Sequence, residues 1–267
     1  MSNLPFAATT PTHVGRIGLV AKDAAALSRY YQDVIGLKEL SNSGKRITLG
    51  TDARPLLELE QSDAVRPDDP RSAGLYHTAF LMPSRADLGR WIRHAIDDRI
   101  QLTGAADHLV SEALYLTDPE GNGIEIYADR DRKGWTWDGN HVRMANSRID
   151  SEGILQSASG GAGWTGIPDD AVIGHVHLRV GDVPKARAFW NDEMGLDTVL
   201  DYGPQATFLS SGGYHHHIGA NSWESLGAGP RDKDRTGLQW VELLSTGAKG
   251  PIETIDPWGN SIRVVPS

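Results

Sequence analysis

Apolar and polar positions alternate with a period of two in some stretches of the chain and recur at helical spacing in others, and the stretches repeat in a fixed order. The clearest is 111–127. Two apolar runs, 114–116 and 124–126, flank Asp118-Pro-Glu-Gly-Asn-Gly123, whose Pro and Gly predict a tight turn and so a β-hairpin. Alternation sets Glu125 opposite in sense to Ile124 and Ile126. The same turn returns as Asp256-Pro-Trp-Gly-Asn260 ahead of an apolar run at 261–265. The pattern predicts a repeated unit that ends in this hairpin.

From the N-terminus, a strand is predicted over 14–21. Asp23 stands where a helix N-cap belongs, Leu27, Tyr30, Tyr31 and Val34 follow at helical spacing, and Gly36 supplies the stop. Strands over 45–49 and 56–59 complete a βαβββ-like module, and 66–71 is a loop. The second module has a strand at 75–82, a helix start at Ser84 and Asp87, and a buried stripe of Leu88, Trp91, Ile92, Ala95 and Ile96 before the hairpin. The third repeats the first. Asp23 matches Asp182, Tyr30 matches Phe189, Tyr31 matches Trp190 and Gly36 matches Gly195, all at one offset. The fourth opens at Gly237, aligned with Gly74, and is shorter before its hairpin. The prediction is an α+β chain of four βαβββ modules: two in 12–130, a linker over 131–170, and two in 171–267. The linker is rich in Gly, Ser, Asp and Trp, with Trp135, Trp137 and Trp164 available for packing.

At 267 residues the chain has room for two ordinary cores. A net charge of −9 argues against a sequence-independent nucleic-acid binder, which needs a basic surface. The absence of cysteine excludes disulfides, zinc–thiolate sites, iron–sulfur clusters and thiol nucleophiles, so any metal is held by His and carboxylate. The segment Met1 to Pro11 lacks the basic and apolar regions of a signal peptide, and no apolar run is long enough for a bilayer, so no membrane partner and a cytoplasmic location are expected.

Equivalent positions of the repeat locate the chemistry. One position on the first strand of each module reads Arg16, His77, His175 and Trp240, and the carboxylate position of the two hairpins reads Glu125 and Arg263. Histidine and glutamate thus coincide only in modules two and three. A lone histidine is more often a satisfied core residue, but two histidines with one carboxylate form the ligand set of a non-haem Fe(II) site with open positions. A third histidine-bearing segment, 212–219, is predicted as a strand, on which His216 faces one way and His215 with His217 the other. His177 shares a face with His175, as a cavity or packing residue, whereas His13, His94 and His141 read as surface or loop positions.

The motifs Gly74-Leu-Tyr-His77, the 111–130 hairpin, Ile173-Gly-His-Val-His177 and Gly213-Tyr-His-His-His-Ile-Gly219 resemble the vicinal oxygen chelate superfamily, and within it the extradiol catechol 2,3-dioxygenases. The resemblance runs over essentially the whole chain. It implies two domains with cupped mixed sheets, Fe(II) (with Mn(II) as the alternative) on His77, Glu125 and His175, and His216 as the acid–base residue. It also implies Tyr115 as a contact to a substrate hydroxyl and His108 as a further catalytic histidine near it. The implied partners are a small aromatic diol and O2, and the product a 2-hydroxymuconic semialdehyde. A glyoxalase-type isomerase and a non-catalytic resistance-type binder share the scaffold and are the alternatives. One departure stands out: many two-domain extradiol enzymes keep all three ligands in the C-terminal half, and here module four offers Trp240 and Arg263. Modules two and three must therefore meet, within one chain or between subunits of a homo-oligomer. Trp223 and Trp240 are expected to line the pocket.

Overall fold

The computed structural model describes residues 4–267, so the first three residues of the N-terminal segment discussed above lie outside it. The four modules appear in the expected order. The first comprises β1 (Thr12–Ala21), α1 (Ala24–Tyr30), β2 (Lys38–Asn42), β3 (Arg46–Gly50) and β4 (Pro55–Gln61). The second comprises β5 (Gly74–Met82), α2 (Arg85–Asp97), β6 (Gly104–Asp107), β7 (Ser111–Thr117) and β8 (Gly123–Asp129). The segment between the halves holds a short ribbon, β9 (Trp137–Asp138) with β10 (His141–Val142), and α3 (Ser151–Ser157). The third module is β11 (Val172–Arg179), α4 (Val183–Ala188), β12 (Asp197–Tyr202), β13 (Ala206–Ser210) and β14 (Ile218–Asn221). The fourth is reduced to β15 (Gly237–Ser245), β16 (Ile252–Ile255) and β17 (Ser261–Pro266), without a helix.

The local signals act as their chemistry requires. Asp23, Ser84 and Asp182 each accept a backbone N–H three residues on and start their helices. α1 and α4 each end in a wider, π-type turn, and Gly36 closes the first with φ +80°. The repeated turn has a specific cause. Asp118 accepts the N–H groups of Glu120 and Asn122, and its other oxygen takes the Asn122 amide at 2.8 Å. Asp256 does the same for Trp258 and Asn260. Gly121 and Gly259, at φ +91° and +88°, take the left-handed conformation that lets the chain reverse.

Strand pairing does not follow the sequence halves. One seven-stranded sheet runs β16-β17-β15-β1-β4-β3-β2 and joins modules four and one. One eight-stranded sheet runs β12-β13-β14-β11-β5-β8-β7-β6 and joins modules three and two. Each is mixed: β1 is antiparallel to β15 and parallel to β4, and β11 is antiparallel to β5 and parallel to β14. The main core buries Ile17, Leu19, Phe80, Trp91, Ile126 and Trp190, and a smaller cluster around Trp135, Tyr127 and Tyr214 lies beside the second sheet. Trp135 and Trp164 do pack, the latter stacked on His94 at 5.5 Å. His94 is therefore largely covered on α2, and His13 lies on β1, so neither is a free surface residue. Among the described residues no helix is long and apolar enough to cross a membrane.

Candidate metal centre

The junction of β5 and β11 sets the site. These strands are antiparallel, with His77 opposite His177 and Ala79 opposite His175, while β8 runs parallel to β5 with Glu125 beside Ala79. Side chains on one face of three adjacent strands then converge. His77 Nε2 and His175 Nε2 lie 3.3 Å apart, and Glu125 Oε2 is 3.1 Å from the first and 3.2 Å from the second. All three residues are buried, and their ligand atoms lie within 4.8 Å of one another. The group is assembled within one chain, from modules two and three.

Electrostatics favour the state that a cation needs. Burial alone would raise the Glu125 carboxyl, but attraction to His175 and close contact with both histidines hold it well below the usual carboxylate range. Burial lowers His175 to about 4 against the partial opposition of Glu125. Proton positions strengthen the fit. Tyr214 donates its hydroxyl hydrogen to Asp129 at 3.2 Å, so in the 2.7 Å contact between the two hydroxyls Tyr127 must donate to Tyr214. His175 Nδ1, 3.3 Å from the Tyr127 hydroxyl, is left as the donor there. Its Nε2 is then a bare lone pair facing a carboxylate oxygen at 3.2 Å. Two acceptors turned toward each other suit a divalent cation between them, and imidazole with carboxylate suits a borderline metal.

A cavity of about 740 Å³ opens onto the group. His108, Tyr115 and His216 line it with His77, Glu125 and His175. The His108 Nε2 to Tyr115 hydroxyl distance is 2.7 Å, although their spacing in sequence did not suggest a pair. Tyr115 stands opposite Glu125 across β7 and β8, and burial, then the Glu125 charge, raises its phenol well above the ordinary value. The His216 ring lies 4.1 Å from the His175 ring, and burial followed by the neighbouring histidines keeps it neutral.

The histidine run differs from the expected strand. Residues 211–217 form turns, and β14 begins only at Ile218. His216 nonetheless faces the cavity, His215 turns to Asp129 at 2.9 Å, and His217 is held by Thr10 and the Ala7 carbonyl at 3.1 Å each. His177 lines the cavity, packed against Tyr76 and Trp223, and its Nε2 has no hydrogen-bond partner. Trp223 lines the cavity as expected. Trp240 does not: it belongs to the other sheet, beneath Arg16 and Arg263. The sequence reading also missed Asp129, Tyr127 and Tyr214; the odd-numbered spacing of 125, 127 and 129 on β8 was the available signal.

Residues 13–126 match the profile of the Glyoxalase/Bleomycin resistance protein/Dioxygenase superfamily. The chain is 40% identical over 268 aligned positions to a catechol-2,3-dioxygenase of Bacillus subtilis (strain 168), covering 95% of this chain and 93% of the relative. Among solved structures, glyoxalase I from Zea mays superposes with a TM-score of 0.55 at 13% identity, covering 98% of this chain and 94% of that one. The cppA protein of Streptococcus pneumoniae TIGR4 superposes with a TM-score of 0.53 at 12% identity, over 96% and 99% of the two chains. These structural likenesses concern the fold alone.

Proposed function

The chain belongs to the glyoxalase/bleomycin resistance protein/dioxygenase superfamily, and on that premise we propose that it is an extradiol dioxygenase acting on catechol or a substituted catechol. The observation that carries this reading is the convergence of His77, Glu125 and His175 on one point of a cavity wall, in a chain so similar to a catechol-2,3-dioxygenase. The metal is Fe(II), with Mn(II) as the alternative. When bound, it supplies a Lewis acid for both vicinal oxygens and a path for electrons to O2. The carbon–carbon bond beside the diol breaks and both atoms of O2 enter the product, so that catechol plus O2 accounts for every atom of 2-hydroxymuconic semialdehyde.

The chain's own groups bind and orient. Two neutral imidazoles and one carboxylate hold the cation and leave its cavity side open. The Tyr115 hydroxyl, positioned by His108 at 2.7 Å, hydrogen-bonds a substrate oxygen. His216 holds and moves a proton at its cavity-facing nitrogen, as general acid and then base. Tyr76, His177, Phe208 and Trp223 wall the cavity around the aromatic ring and exclude water, and its volume leaves room for ring substituents.

The test is O2 consumption by anaerobically purified, Fe(II)-loaded protein on adding catechol, with the absorbance of a yellow ring-opened product recorded alongside. Uptake with yellow product, lost in His175→Ala and Glu125→Ala, is the expected result. Metal binding without O2 uptake on any catechol would overturn the reading in favour of isomerase chemistry.

A further inference from the structure

We infer that one carboxylate, Asp129, sets the proton positions of two histidines at once, so that His175 and His216 both turn a bare Nε2 lone pair toward the cavity. The roles of those two histidines rest on the proposed function; their proton positions do not.

The first branch runs from His175 through Tyr127 and Tyr214 to Asp129, with every hydrogen directed toward the carboxylate. The second runs the other way round the site. His215 Nε2 lies 2.9 Å from Asp129 Oδ1, and an ionised carboxylate only accepts, so this nitrogen carries the hydrogen. In a neutral His215 the Nδ1 is then a lone pair. His216 Nδ1 lies 2.8 Å from it and must donate. His216 Nε2 is left without hydrogen and has no hydrogen-bond partner among the described residues. The opposing assignment makes His215 an imidazolium that donates from both nitrogens and moves the His216 hydrogen to Nε2.

The surroundings hold this chain in one arrangement. Tyr127, Tyr214 and His215 are fully buried, so water does not replace their partners. His215 is pressed between Tyr214 and Trp135, with ring centroids 4.0 and 5.2 Å away. Glu125, Tyr127 and Asp129 alternate onto one face of β8, which therefore presents the ligand, the bridge and the anchor together. A Cβ at residue 174 would lie 1.8 Å from the Tyr127 hydroxyl, so only glycine admits the first branch. Asp129 is a positioning residue: it touches neither metal nor substrate, and it prepares the nitrogen that binds one and the nitrogen that exchanges a proton with the other.

The experiment is two-bond nitrogen–proton NMR on metal-free, 15N-histidine-labelled protein, with signals identified by single substitutions. His175 and His216 are both expected as the Nδ1–H tautomer. Finding either as Nε2–H overturns the inference. Tyr214 and His215 meet the same oxygen, Oδ1, so Asp129→Leu removes the acceptor of both branches, and His175 and His216 should each lose their single tautomer. Its kcat should fall by up to roughly 10⁴-fold with little change in KM, the scale on which a catalytic histidine in the wrong tautomer loses activity. Unchanged tautomers in this variant also overturn the inference. His215→Phe keeps the ring packing if the leucine variant does not fold; there His216 should lose its single tautomer while His175 retains it, and a retained single His216 tautomer overturns the second branch. Wild-type protein with the expected tautomers but no O2 uptake would sink the proposed function and leave this inference standing.

Discussion

The Arg263 guanidinium lies 4.3 Å from the centre of the Trp240 ring, at the two places in the first sheet that correspond to Glu125 and His77 in the second. Arg16, which corresponds to His175, approaches the same ring at 5.3 Å and is paired with Glu242 at 2.9 Å. Where one sheet gathers lone pairs, the other packs an indole between two cations. Trp240 is 2% exposed and fills that space.

One divalent cation per chain is therefore expected by elemental analysis, in spite of the repeat. Trp240→Ala should leave that stoichiometry unchanged while lowering stability by about 3–5 kcal/mol, the cost of emptying a buried aromatic site. A second bound cation in the wild type would contradict this account of the first sheet.

Metal should stabilise the folded chain through the triad. Added Fe(II) or Mn(II) at a hundred times its Kd should contribute about 2.7 kcal/mol, seen as a raised unfolding midpoint. Glu125→Gln keeps the shape and removes the charge, and should abolish most of that shift. A full shift in Glu125→Gln would mean that the cation sits elsewhere.

Gly219 on β14 lies beside His177, and a Cβ there would come within 2.8 Å of the imidazole ring. Gly219→Ala should push that ring into the cavity, at a cost of about 1–3 kcal/mol. KM for the diol should rise while metal content stays the same. Unaltered KM in a folded variant would show that His177 does not border the substrate.

Acid should destabilise the protein through a buried histidine. Burial lowers His217 from 6.5 to about 3. Between those values the unfolded chain binds a proton that the folded one refuses, so stability falls as pH drops below 6.5, by about 1.4 kcal/mol per pH unit for this group. Chemical denaturation of the metal-free protein at pH 7 and pH 5 measures the slope. It should be shallower in His217→Gln, and an equal slope would remove His217 as the cause.

Much of the fold is legible in the sequence because its units repeat. Asp118 and Asp256 mark the turns that they hydrogen-bond, and Asp23, Ser84 and Asp182 mark the helices that they cap. The triad emerges from comparing equivalent positions, since no single histidine distinguishes itself by its neighbours. What escapes the pattern is set by contacts distant in sequence. β2 is wholly exposed and carries no apolar alternation, and the ribbon of β9 and β10 is too short to show a period. The histidine run lies in turns ahead of β14, with the rings of His215 and His217 held by Asp129, Thr10 and Ala7, partners far away in sequence. Trp240 looks like a pocket residue from its repeat position, and only the guanidinium groups above it show why that pocket is filled.

The pairing of modules one with four and two with three nests one sheet inside the other along the chain. His77 and His175 are 98 residues apart, whereas Thr12 and Ser245, which meet in the outer sheet, are 233 apart. No strand of the site-bearing sheet comes from beyond Asn221. As the chain leaves the ribosome, the sheet that carries His77, Glu125 and His175 has all its strands while β1 still waits with an open edge for β15, so synthesis itself delivers the candidate centre before the sheet that joins the two ends of the chain.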